Sequence, residues 1–264
     1  GHRLKTGVDV YPSLGFGGAA PSPVEGEVTT VRRVKAPRGR GFADAGYDVV
    51  TLVRPVDNPG VAVKLLHVDT CLSAGDHVGL GDEMGPLLRS GYYGWGTSPH
   101  IHLEVREQHD SLRARGGHPI HVLKGFADAK PVEEITGEAV WTQPEYALMR
   151  LRTRGAGLTG ELAGEPGVVD GGIPYYGWLG FHTERPTQGA VRLLGQPIAD
   201  VKEVKDRAAI AETRGFGFTL DGEPLLGLSL YLTPGPGPIV KILPQRIGGL
   251  DLSPGDTATV ELRV

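Results

Sequence analysis

Short apolar runs with a period of two dominate the chain. VEGEVTTVRRV (residues 24–34), YDVVTLVRPV (47–56) and VAVKLLHV (61–68) are rich in β-branched residues and bounded by Gly, Pro, Asn or Asp, which predicts strands. LSAGDHVGLGDEMG (72–85) reads as two turns, at Gly75-Asp76 and Gly81-Asp82. In GTSPHIHLEVRE (96–107), Ile101, Leu103 and Val105 fall on one strand face, and His100, His102, Glu104 and Arg106 on the other. A short polar stretch around 107–115 is the helix candidate of this half. GFADAKPVEE (125–134) reads as a linker. Beyond it, strands are expected at 146–152, 213–220, 225–232, 239–243 and 257–264, with one helical segment over 200–213. The expected fold class is all-β: an antiparallel, sandwich-like domain over 1–125, then a second β-rich domain over 131–264.

Composition agrees with many strands and tight turns, since 41 glycines and 21 prolines are spread through 264 residues without a repeat. Net charge is −4, with 15 Lys/Arg against 14 Asp/Glu in residues 1–130 and 12 against 17 in the rest. Neither half has the basic excess of a phosphate-binding surface, so nucleic acid is not an expected partner. Arg32, Arg33, Lys35, Arg38 and Arg40 read instead as a solvated hairpin loop. The lone Cys71 rules out an intrachain disulfide, and its apolar neighbours suggest burial. No window reaches the roughly 18 apolar residues of a membrane-spanning helix, and no signal segment opens the chain. The sequence begins at Gly1 without a methionine, which leaves open a removed leader or anchor and whether Gly1-His2 is native. YYGW occurs twice, at 92–95 and 175–178, in dissimilar surroundings that argue against a repeat.

Candidate chemistry concentrates in the first half, where eight of the nine histidines lie. Zinc hydrolysis needs three protein ligands, an open position for water and a group that handles protons. His100 and His102 share a strand face, His67 ends the strand at 61–68, and Asp9 lies in LKTGVDVYPSLG. His77, His109, His118, His121 and His182 read as surface or internally satisfied residues. Glu104 is placed either to orient His102 or to meet solvent, and Asp69 is equally ambiguous.

The order G-x-D, PVEGEV, LLHVDTCLSAGDHVGLGDEMG and GTSPHIHLEV resembles the lysostaphin-type zinc metallopeptidases, the Gly-Gly endopeptidases and related peptidoglycan hydrolases, over most of residues 5–107. The resemblance implies a compact antiparallel β fold, an extracytoplasmic location and, in active members, cleavage of peptidoglycan peptides. It implies that Asp9 and His102 are zinc ligands and that His67 and His100 assist the water and the transition state. The family's HxGxD motif stands here as KTGVD, with Lys5 in place of the first ligand. A lysine protonated near neutral pH has no lone pair for a metal. Positions 5, 7 and 9 share a strand face, so the ammonium is expected to pair with Asp9.

The first expectation is therefore a degenerate site with zinc, if any, weakly held. Its groove, with Tyr92, Tyr93 and Trp95 contributing, would bind a peptide, a peptidoglycan-like polymer or a protein partner. The second is an active zinc endopeptidase with an atypical third ligand: His2, a later histidine such as His118 or His121, or a deprotonated Lys5. The third is a structural assembly scaffold in which the histidines are relics.

Overall fold

The computed structural model of the protein describes residues 6–12, 15–113, 116–121, 129–233 and 237–264. The chain divides into two compact units, Gly1–Val122 and Leu123–Val264. Both are all-β, and every strand pairing described is antiparallel. Among the described residues no helix is long and apolar enough to cross a membrane.

The first unit is a six-stranded sheet. Its members, in chain order, are β1 (Val8–Val10), β3 (Gly26–Lys35), β4 (Tyr47–Pro55), β5 (Val61–Leu66), β6 (His77–Val78) and β8 (Ile101–Glu107), hydrogen-bonded in the order β1-β8-β5-β4-β3-β6. A separate ribbon pairs β2 (Ala19–Pro21) with β7 (Glu83–Pro86). Alternation places Val28, Val53, Val63, Leu65 and Ile101 on one face, where they bury against Val68, Met84 and Leu87. The opposite face of β8 is not solvent, although its residues are polar. Arg106 is fully buried and Glu104 is 4% exposed, because the chain that follows β8 covers them. Among its described residues that following chain holds a 3-10 turn, Gln108–Asp110, where the sequence suggested a longer helix. Arg32, Arg33 and Lys35 belong to β3 itself, while Arg38 and Arg40 stand exposed on the hairpin loop. Cys71 is exposed, contrary to its expected burial, since β5 has already ended and the chain is crossing the surface.

In the second unit the linker gives way to β9 (Ile135–Gln143), and strands then follow almost without interruption. They are β10 (Tyr146–Leu151), β11 (Thr159–Leu162), β12 (Glu165–Ile173), β13 (Trp178–His182), β14 (Ala190–Leu193), β15 (Gln196–Lys205), β16 (Ala208–Thr213), β17 (Gly217–Leu220), β18 (Glu223–Leu230), β19 (Ile239–Pro244) and β20 (Thr257–Arg263). Their pairings close two circuits. β11-β14-β15-β16-β13-β12 returns to β11, and β18-β17-β20-β9-β10-β19 returns to β18, with β12 and β18 joining the two. Closure removes free sheet edges within each circuit. One apolar core runs through both, including Phe181, Leu179, Ile198, Phe218, Ile242 and Val260. Two-residue hairpin turns at Leu194-Gly195 and Asp221-Gly222 have both residues at positive φ (50° and 73°, 51° and 84°), the geometry that matches strand twist.

The helix expected over 200–213 is absent: those residues form β15, a tight turn and β16. Alanine and alternating charge favour a helix locally. Here both strands are hydrogen-bonded on each side, β15 to β14 and β16, β16 to β15 and β13. Tertiary pairing overrides the weak helical preference. The charges remain outside, with Lys202 3.2 Å from Glu212 across the hairpin.

Candidate functional site

β1 and β8 pair so that Asp9 lies directly opposite His102. Their side chains meet, with His102 Nδ1 2.8 Å from Asp9 Oδ1. This contact depends on Gly7: a Cβ there would fall 2.8 Å from His102 Cε1, so only glycine leaves room for the ring. The second nitrogen of His102, Nε2, lies 3.3 Å from Glu104 Oε1. Both ring nitrogens therefore face carboxylates and both donate, the state of an imidazolium. Burial disfavours that cation, but the hydrogen bonds to Asp9 and Glu104 prevail and raise its pKa to about 9.

His100 sits one residue before β8 and is 6% exposed. Its Nδ1–H donates to the Ser98 carbonyl at 2.9 Å, which leaves Nε2 as the lone-pair nitrogen, 3.5 Å from Asp9 Oδ1. Burial lowers its pKa to about 4, against a partial opposing pull from Asp9. His67 follows β5 with a backbone φ of 72°, a left-handed conformation uncommon outside glycine. Asp48 holds it there. One carboxylate oxygen accepts the His67 backbone N–H at 3.0 Å and the other accepts ring Nδ1–H at 2.7 Å. Val49 N–H adds a third bond at 2.7 Å. Burial pushes the Asp48 carboxyl up, but these donors and Ser90 outweigh it and keep it below its usual value. A non-glycine residue held in this region marks functional sites often enough to carry weight here.

The three histidines form one cluster. The His67 ring is 5.2 Å from that of His100 and 6.2 Å from that of His102. Tyr93 packs against His67 at 4.6 Å and His100 at 4.9 Å, and its hydroxyl donates to the His100 carbonyl at 3.3 Å. Tyr93 is thus buried as part of the cluster. Tyr92 is 60% exposed and Trp95 half-buried. Tyr11 stands 5.4 Å from His100.

Beneath His102, Glu104 accepts from Arg106 at 3.2 Å and lies 3.6 Å from Lys64, all three buried. Glu104 is therefore an internal charge that touches His102. Asp69 turns away from the cluster to Tyr47 and Arg33. Asp76 and Asp82 cap their own turns through Ser73 N–H and Gly79 N–H, as a turn reading requires. His118 Nε2 lies 3.0 Å from Glu107, so it does not join the cluster. Lys5 and His2 lie outside the described residues.

Sequence reasoning missed Asp48 and Tyr93 as partners of the histidines. Asp48 had a signal, as the charged residue at the head of the apolar run VV in YDVVTLVRP. Its partner is 19 residues away, and only the β4–β5 pairing brings the two together.

A zinc centre needs three protein donors around one point. Among the described residues, no group of three or more His, Cys, Asp or Glu side chains is arranged to hold a metal ion. Asp9 and His102 converge, but both nitrogens of His102 are committed to carboxylates.

The buried charges set a pH profile. The raised His102 pKa contributes stability that is complete below about 6.5 and lost as pH rises through about 9. The lowered His100 pKa acts oppositely: the unfolded chain takes up the extra proton first, so stability falls as pH drops from about 6.5 to 4. Asp48 and Glu104, both held low, add to the acid loss. The expected result is a thermal midpoint highest near pH 6.5 and declining on both sides. Imidazole nitrogen shifts should show His102 still protonated at pH 8 and His100 neutral at pH 5.5. A neutral His102 at pH 7 would sink this account.

What fold and site define together is a class: an all-β unit with a buried histidine–carboxylate cluster at its strand ends. A family model described as the domain of unknown function (DUF8155) N-terminal domain matches residues 1–122, the same span as the first unit. Among solved structures, the NMR solution structure of lysostaphin is similar at 14% sequence identity. That likeness covers 79% of this chain and 86% of that one, with a TM-score of 0.25. No curated protein matches the chain.

Proposed function

We propose that the first unit is a homologue of the lysostaphin-type metallopeptidases with zinc catalysis impaired or lost, which binds a peptide chain in the groove beside the histidine cluster. One observation carries this reading: His102 places both ring nitrogens against carboxylates, Asp9 at 2.8 Å and Glu104 at 3.3 Å, and so acts as a double donor where a metal needs a deprotonated nitrogen with its lone pair free. By sequence, Lys5 stands where the resemblance expects a ligand, and a protonated lysine has no lone pair for a metal. Elemental analysis of tag-free protein is expected to find well under one zinc per chain. Lys5→His is expected to restore zinc binding, read by calorimetric titration. One tightly held zinc in the unmodified chain would refute the reading, and no gain in the variant would refute the placing of Lys5.

A second reading, an active zinc endopeptidase, is favoured by the care with which two histidines are held. His67 and His100 each donate Nδ1–H to a fixed acceptor, Asp48 or the Ser98 carbonyl, and so each keep a lone pair on Nε2. That is the preparation of a general base and of a group that stabilises developing charge. Zinc content separates the two readings.

A further inference from the structure

β3 is ten residues long, but only its first few are paired on both sides. β4 runs beside it from Gly26 to Lys35. On the other side β6 meets it at Gly26 and Glu27 alone. Val28 then donates its N–H to the Asp76 carbonyl and accepts the Gly75 N–H, both at 2.8 Å. A bulge follows between Val28 and Thr30. At the far end the Tyr92 hydroxyl donates to the Lys35 carbonyl at 3.4 Å. Between these limits, over residues 30–34, nothing among the described residues pairs with the side of β3 turned away from β4. Alternate residues of an antiparallel strand point N–H and C=O away from their partner. This stretch therefore presents a row of open backbone donors and acceptors, close to the length of an ordinary strand.

The side chains along this edge are basic, in a chain whose net charge is −4. Arg32, Arg33 and Lys35 are exposed, and exposed Arg38 and Arg40 continue the run, with no Asp or Glu between Glu27 and Asp44. Arg33 is partly committed, 3.9 Å over the Tyr47 ring and 3.4 Å from Asp69. Arg32 and Lys35 have no ion pair among the described residues. Alternation sends Arg32 to one face of the strand and Lys35 to the other. Charge of this kind decides what can pair here. A second copy added antiparallel about Arg32 and Arg33 would set cation against cation, which is unfavourable. A strand carrying carboxylates would meet Arg32 on one face and Lys35 on the other while its backbone extends the ladder.

We infer that the open edge of β3 takes up an extended acidic peptide by strand addition. The edge shares no residue with the histidine cluster, so the inference stands apart from the reading of that cluster. Its test is a titration of the full isotopically labelled chain with three acetylated and amidated hexapeptides. They are Thr-Val-Glu-Glu-Val-Thr, the same peptide with lysine for both glutamates, and the glutamate peptide with every backbone nitrogen methylated. With the first, the amide signals of residues 30–34 are expected to shift, and alternate ones among them to exchange more slowly. The glutamate peptide should bind about tenfold more tightly than the lysine peptide at low salt, as two exposed ion pairs allow. That preference should shrink in molar salt, which screens exposed charges. Arg32→Glu combined with Lys35→Glu, both at exposed positions, should reverse it. Equal binding of the glutamate and lysine peptides overturns the inference. Equal binding of the glutamate peptide and its methylated form overturns it too, by reducing the contact to charge alone. Protection of the same amides that rises with protein concentration in the absence of peptide gives the edge to a second copy and also overturns it. If the double variant does not fold, the three peptides on the unmodified chain decide.

Discussion

Asp48→Asn is expected to destabilise the first unit by about 1–3 kcal/mol, the usual effect of leaving a buried hydrogen-bond donor unsatisfied. In a unit of this size that lowers the thermal midpoint by on the order of 10 °C. The carboxylate accepts from the His67 backbone, the His67 ring and the Val49 backbone at once. An amide of the same shape must turn an NH2 toward one of these donors and leave it unsatisfied. The left-handed backbone of His67 then loses its restraint. Calorimetry checks the stability, and the His67 ring shift checks the position of its proton. An unchanged midpoint would show that Asp48 does not hold His67 in the way its geometry states.

Arg106→Met should cost more, about 3–5 kcal/mol, because it removes one member of a buried ion pair with Glu104. This guanidinium has no exposed surface and donates to Glu104, to both the carbonyl and carboxylate oxygens of Asp110, and to the Arg113 carbonyl. Lys64 reaches the same Arg113 carbonyl at 3.0 Å. Methionine fills much of the volume but leaves the oxygens of Asp110 and Arg113 without their shared donor. The segment after β8 is therefore expected to open first, seen as faster hydrogen exchange and proteolysis over residues 108–121. Normal protection there, with an unchanged midpoint, would assign the covering of Glu104 to other contacts.

These two residues also mark the limit of reading from sequence. Arg106 was placed correctly on the face of His100, His102 and Glu104, because a period of two is a local property of the backbone. Its burial was not legible, because the covering chain follows only after β8 ends. Asp48 was visible as an out-of-place charge, but nothing local to YDVVTLVRP names His67 as its partner. The segment at 200–213 failed in the same way: its composition favours a helix, while its neighbours on both sides supply strand pairings.

By itself the sequence determined the all-β class, most strand positions in the first unit, the shared face of His100 and His102, and the convergence of Asp9 with them. Strand periodicity and turn residues are short-range, and they survive without knowledge of the rest of the chain. The tertiary structure alone decided the partners of these groups: Glu104 on His102, Asp48 on His67, Tyr93 between two histidines, and the closing of two strand circuits in the second unit. Each of those depends on which distant strands pair and in what register, a choice made by the burial of whole faces rather than by any one segment.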